Sequence, residues 1–227
     1  MTTPRDLLMV ALAMESDRPQ EQGDLSLALA GAEVIDLLDL QAIRLDGERI
    51  VPVRRPAAGD RLLDEAALSL VRQEPYESVG DWLWRRGRGL FSSYLAALEA
   101  DGQVIRQRGR RRLLRTGRLM LVDSPARRAA AKRWTSDDAV LAALAAAIGI
   151  HGERTDSPGI ADDAVATVLA AVNAAVWNWG SCGNGGRLKK RPSTTCNEAS
   201  PLTVESGAGQ ARWVRAVCGD GRHGDGQ

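Results

Sequence analysis

The chain has 227 residues, 44% of them apolar, and a formal net charge of +1, which is enough for one domain with a substantial core. Its most apolar window, Ala139 to Ile150, is shorter than the ~20 residues needed to span a bilayer. The three cysteines, Cys182, Cys196 and Cys218, match no zinc spacing and cannot all pair, which excludes a disulfide or metal framework.

The N-terminal segment lacks the basic stretch and cleavage site of a signal peptide, so a cytoplasmic location is expected. Thr3 and Pro4 suit a helix start, and Leu7, Leu8, Val10, Ala11 and Met14 follow at helical spacing. A second helix is expected from near Asp24, with Leu27, Ala30, Val34, Leu37 and Leu38 on one face. Ile43 to Val53 reads as a hairpin around Asp46-Gly47. Asp60 is placed to cap the helix LLDEAALSLVRQ. VGDWLWRR should form a further helix, with one of Trp82 and Trp84 in the core and the other partly exposed. Another helix runs from Leu90 to about Ala100 and closes at Asp101-Gly102.

QVIRQRGRRRLLRTGRLMLV then reads as a second hairpin with a basic middle. Ser124-Pro125 opens a helix reaching Trp134, and Thr135 or Ser136 is expected to cap an Ala-rich helix ending at Ile148. Asp162 to Trp177 is the last amphipathic helix, bearing Val165, Val168, Leu169, Val172 and Val176 on its face. The doublets Asp137-Asp138 and Asp162-Asp163 fall at helix starts, where capping accounts for them better than metal binding. The pattern is mainly α: a single compact helical domain, 1–177, with small surface β-hairpins. Residues 178–227 hold ten of the 23 Gly and all three Cys without a sustained apolar period, which reads as a disordered tail. The abrupt change within a helical pattern makes a frameshifted reading of the gene one account of that tail. Abundant Arg, Ala and Gly beside scarce Lys and Phe fit a GC-rich coding sequence and a bacterial source.

The charge is distributed unevenly. Between Arg85 and Arg133 there are thirteen Arg and one Lys against Glu99, Asp101 and Asp123, a local balance of +11, and the rest of the chain carries −10. The peak is Arg106, Arg108, Arg110, Arg111, Arg112, Arg115 and Arg118, with no acidic residue among them. Arginine's planar donor fork suits phosphate oxygens, and near an anionic membrane each cation contributes about 1 kcal/mol. Leu113, Leu114, Leu119, Met120 and Leu121 lie beside the cluster and can add shallow insertion. The plainer alternative is a solvated hairpin whose arginines pair with the acidic remainder. Helix, helix and basic hairpin is also how a winged helix reads, so nucleic acid is a second partner to weigh.

No catalytic constellation is present. His151 and His223 are the only histidines, and there is no Walker loop, G-x-G-x-x-G, HExxH or nucleophile elbow, so neither an enzymatic activity nor a cofactor is expected.

The succession DLLMVALAM, LAGAEVIDLLDLQAIRLDGERIVP, LLDEAALSLVRQEPYESVGDWLW, YLAALEADGQVI and LMLVDSPARRAAAKRW resembles the Golgi phosphoprotein 3 family, over about Arg5 to Trp177. The resemblance implies a helical domain with surface hairpins, non-enzymatic, held peripherally on the cytoplasmic face of a membrane by phosphatidylinositol 4-phosphate. It also implies that a basic, apolar hairpin contributes to membrane contact and self-association. Of the family's four headgroup positions, two fall at Glu21 and Ala30, a third at Arg88 and the fourth at Phe91, so only Arg88 keeps a cation. Arg85 and Arg86 stand close enough in sequence to compensate. The expected lipid-binding set is therefore Arg85, Arg86, Arg88 and the seven hairpin arginines.

Overall fold

A computed structural model describes residues 2–14, 22–53, 59–107, 118–136, 138–151 and 161–181. All of them fall within one compact unit, Met1–Arg191, and none within the second, Pro192–Gln227. Among them are eight helices: α1 (Thr3–Ala13), α2 (Gln22–Asp39), α3 (Arg61–Leu68), α4 (Val79–Arg86), α5 (Leu90–Ala100), α6 (Pro125–Thr135), α7 (Ala139–Ala147) and α8 (Asp163–Ser181). Two antiparallel strand pairs complete the fold, β1 (Ile43–Asp46) with β2 (Arg49–Pro52), and β3 (Val104–Gln107) with β4 (Arg118–Leu121). The mainly helical architecture with small hairpins is the one expected.

α2 is the hub. A single apolar face was expected, but every residue from Leu25 to Leu37 is buried, because α1, α4, α5 and α8 cover it from different sides. A helix apolar all round belongs in a core, and the run LSLALAGAEVI supplies that. Each buried Leu there contributes about 1.5–3 kcal/mol relative to exposure. Gly31 lets α8 approach closely: a Cβ on it would lie 2.3 Å from the Val172 side chain.

The helix starts follow local chemistry. Asp60 accepts hydrogen bonds from the Leu62 and Leu63 N–H groups, Ser78 from Asp81, Ser124 from Arg127, and Asp162 from Ala164 and Val165. Two starts differ from expectation. Thr2 rather than Thr3 precedes α1, which places Thr3 inside the helix and buries it. Asp138, accepting from the Leu141 N–H, caps α7, because α6 continues through Thr135 and leaves Ser136 as its C-cap.

In the first hairpin Asp46 pairs with Arg49 across a Gly47-Glu48 turn, and Gly47 takes φ 58°, a conformation that favours glycine. In the second, Val104 pairs with Leu121, Ile105 with Met120 and Arg106 with Leu119. β3 lies against α5 and β4 against α1.

Trp82 and Trp84 are both buried, against the expectation that one would be partly exposed. The indole N–H of Trp82 donates to the Ala30 carbonyl at 3.2 Å. Trp84 is covered from the other side by Trp179 of α8, with ring centroids 6.1 Å apart. α8 thus continues beyond Trp177 and packs through Trp179; the expected disordered tail lies otherwise outside the described residues.

Candidate functional site

Ten arginines form the expected site, and four of them have described side chains: Arg85, Arg86, Arg88 and Arg106. Arg108, Arg110, Arg111, Arg112 and Arg115 lie outside the described residues, and of Arg118 the structure gives its strand pairing with Gln107.

α4 separates three neighbouring arginines into different environments. Ser78 caps the helix, Trp82 and Leu83 are anchored in the core, and the cations of the last turn suit the negative helix end. Arg85 makes two 2.7 Å hydrogen bonds to Glu77 and lies over the Trp82 ring at 5.0 Å. It also reaches the Ser69 carbonyl, so it ties the α3–α4 connection to α4. Arg86 points inward. Its guanidinium donates to both Glu33 oxygens at 2.8 and 2.9 Å and to the Leu62 carbonyl at 3.0 Å.

Glu33 is fully buried on α2, and the Tyr94 hydroxyl of α5 donates to it at 3.1 Å. Burial raises the Glu33 carboxyl above its ordinary range, against the opposing pull of Arg86 and Tyr94. The Tyr94 hydroxyl is driven upward by burial and by the neighbouring carboxylate. Next comes the turn Gly87-Arg88-Gly89, in which Gly87 is buried, Gly89 takes φ 72°, and Arg88 is exposed. Arg88 has no ion pair among the described residues.

On the second hairpin, strand alternation sorts the side chains. Val104 is buried, and Leu119 and Leu121 pack on the core. The cross-strand pair Ile105 and Met120 faces outward, 53% and 41% exposed. Arg106 is exposed and pairs with Glu99 of α5 at 2.6 Å, the kind of local pairing the solvated-hairpin alternative required.

Beyond β4, α6 buries only Ala130 and presents Arg127, Arg128 and Lys132 outward. Arg128 pairs with Asp123, and Arg127 and Lys132 have no ion pair among the described residues. α6 therefore extends the basic surface, although its cations were not in the expected set. Helical spacing would have found two of them, since 128 and 132, four residues apart, share a side opposite the buried Ala130. Arg133 turns the other way, held by Thr3, Asp6 and Asp138 beneath α1.

Ala30, one of the positions expected to face a headgroup, is fully buried. Phe91 is half-buried, and its N–H donates to Ser26. Glu21 lies outside the described residues. No described helix is long and apolar enough to cross a membrane, and no described cluster of His, Cys, Asp or Glu has metal-binding geometry.

The family model for Golgi phosphoprotein 3 (GPP34) matches residues 4–180. Among curated proteins, none matches the chain.

Proposed function

The chain belongs to the Golgi phosphoprotein 3 family, a phosphoinositide-binding family, and from that premise we propose that it docks peripherally on an anionic membrane. The docking surface is the β3–β4 hairpin with the Arg106–Arg118 run, Arg88, and the outward face of α6. Phosphatidylinositol 4-phosphate is the headgroup that the family suggests, with any strongly acidic surface as the broader class.

The observation that carries this reading is the outward pair Ile105 and Met120 on a hairpin that carries seven arginines. Apolar side chains exposed beside cations suit the boundary between headgroups and acyl chains, where both kinds of group are satisfied. With about 1 kcal/mol per cation, several arginines hold a domain at a surface without a deep pocket. Arg85 and Arg86, occupied by Glu77 and Glu33, serve this reading as supports for the α4–α5 turn. A diffuse electrostatic contact fits the headgroup positions too, because Ala30 is sealed under Trp82 and Arg88 alone offers a cation. The family assignment lends a winged-helix reading no support, and the reading proposed needs no enzymatic step.

Partitioning onto vesicles of phosphatidylcholine alone, with phosphatidylserine, and with phosphatidylinositol 4-phosphate at matched surface charge tests the proposal. Binding to both acidic surfaces and not to the neutral one is the expected result. Equal binding to all three, or to none, would overturn it. Duplex DNA that displaces the protein from vesicles at stoichiometric amounts would reopen the nucleic-acid alternative.

A further inference from the structure

We propose that Glu33 is a positioning residue for Arg88: it holds, from inside the core, the turn that presents the cation of the α4–α5 junction that has no ion pair among the described residues. This rests on the membrane reading above and deepens it.

The geometry is that of a clamp. Glu33 sits on the central helix, fully buried, and faces three elements at once. Through Arg86 it holds the last residue of α4, and the same guanidinium reaches the Leu62 carbonyl of α3. Through Tyr94 it holds the second turn of α5. The Gly87-Arg88-Gly89 turn is the whole connection between α4 and α5. Gly87 donates back to the Leu83 carbonyl at 2.9 Å, and Leu90 donates to the Gly87 carbonyl at 3.2 Å. Gly89, at φ 72°, adopts a backbone that costs glycine little.

Without its partners this turn has two glycines in three residues and much freedom to lose. With Arg86 and Tyr94 fixed, the ordering has already occurred in the free protein, which is the general route by which preorganisation raises affinity. The bidentate fork adds direction, since a guanidinium donating to both oxygens of one carboxylate has a single orientation. Arg85 secures the outer side of the same helical turn through Glu77 and the Trp82 ring. Arg88, exposed like Arg85, is then the one of the three left without an ion pair among the described residues. A sequence with three arginines in four positions therefore yields one presented cation and two that hold it in place.

The test is a double-mutant cycle on vesicle partitioning, with the full chain and phosphatidylcholine vesicles containing phosphatidylserine. Arg88→Ala is expected to weaken partitioning about fivefold, the effect of about 1 kcal/mol for one cation near the surface. Glu33→Gln is expected to weaken it in the same direction although residue 33 reaches no lipid. The double variant should bind no more weakly than Arg88→Ala alone, since a positioning residue has nothing left to position. Tyr94→Phe, which removes one hydroxyl and leaves the ion pair, serves where Glu33→Gln does not fold, as judged by near-ultraviolet circular dichroism. Its loss should likewise vanish in the Arg88→Ala background.

Losses that multiply, or an unaffected Glu33→Gln or Tyr94→Phe, overturn the inference and leave the membrane reading standing. A wild-type chain that ignores acidic vesicles overturns the membrane reading itself and the inference with it. Arg88→Ala with wild-type binding removes Arg88 from the docking surface, and the inference falls while the hairpin contact survives.

Discussion

Arg86 and Glu33 meet through two hydrogen bonds, at 2.8 and 2.9 Å, although 53 residues separate them and Glu33 is wholly shut away from water. The pair lies where α2, α3, α4 and α5 converge. It makes the core's most consequential polar contact, since a buried charge tolerates no loss of its partner.

Removing one member should therefore be severe. Glu33→Ala or Arg86→Ala is expected to cost about 3–5 kcal/mol, because each leaves the other charge buried and uncompensated. Glu33→Leu combined with Arg86→Met should cost clearly less than the two single changes together. Urea unfolding of the four proteins checks this, and additive losses would show that the pair is not coupled.

Stability should also depend on pH through Asp36. Burial raises its carboxyl to about 6, against hydrogen bonding from the Thr3 N–H and the attraction of Arg133, with Asp39 adding repulsion. An ordinary aspartate titrates near ~3.9, and each unit of difference corresponds to about 1.36 kcal/mol. The stabilisation from this group is complete below pH ~4 and is lost as the pH rises through 6. Asp36→Asn is expected to raise stability at pH 7.5 by up to about 3 kcal/mol and to flatten the curve between pH 4 and 6. Thermal melts across that range decide it, and an unchanged slope would count against Asp36 as the source.

Trp179 gives a test of where the folded part of the chain extends. A Cβ on Gly23 would lie 2.4 Å from the Trp179 ring, whereas one on Gly180 meets nothing within 4 Å. Gly23→Ala should destabilise by about 1–3 kcal/mol through overpacking. Gly180→Ala should be neutral or stabilising by about 0.5–1 kcal/mol. In the same way, ending the chain after Trp177 should lower the melting temperature, and ending it after Ser181 should not. Equal melting of the two truncations would mean that Trp179 contributes nothing.

The exposed pair of Arg106 with Glu99 points to a change that should strengthen binding. Glu99→Gln removes a negative charge from the basic surface and releases Arg106 toward the membrane. Partitioning onto acidic vesicles is expected to rise about fivefold, from about 1 kcal/mol per charge. Ile105→Ser with Met120→Ser should reduce it, and should do so at high salt as well as low, because the lost term is apolar. An unchanged affinity in the double serine variant would remove apolar insertion from the proposal.

Much of this architecture was legible in the chain itself. Asp60, Ser124 and Asp162 mark helix starts because short polar side chains bond the free N–H groups a few residues on, and Pro4 marks another because its ring fixes a helical φ where no N–H is needed, relationships entirely local. The first hairpin was legible for the same reason, through Gly47 and its positive φ. Local rules failed where a neighbour arrived from far along the chain. One of Trp82 and Trp84 reads as partly exposed on α4, yet both are buried, Trp84 because α8 places Trp179 over it, 95 positions away. α2 reads as amphipathic with one inner face, and it is surrounded because four helices pack on it.

The sequence by itself determined the helical class, the order of elements, the family, and the concentration of positive charge between Arg85 and Arg133. The class and the order of elements follow from periodicity and capping, which act over a few residues, the charge concentration from composition, and the family from the resemblance of successive motifs along the chain. Only the tertiary structure decided which cations are held in ion pairs and which are left to a partner. Arg85, Arg86, Arg106 and Arg133 each found a carboxylate on another element or beyond a turn, while Arg88, Arg127 and Lys132 did not among the described residues. Charge density is a property of the chain, but availability depends on which acids folding brings within about 3 Å, a distance set by helix packing rather than by sequence separation.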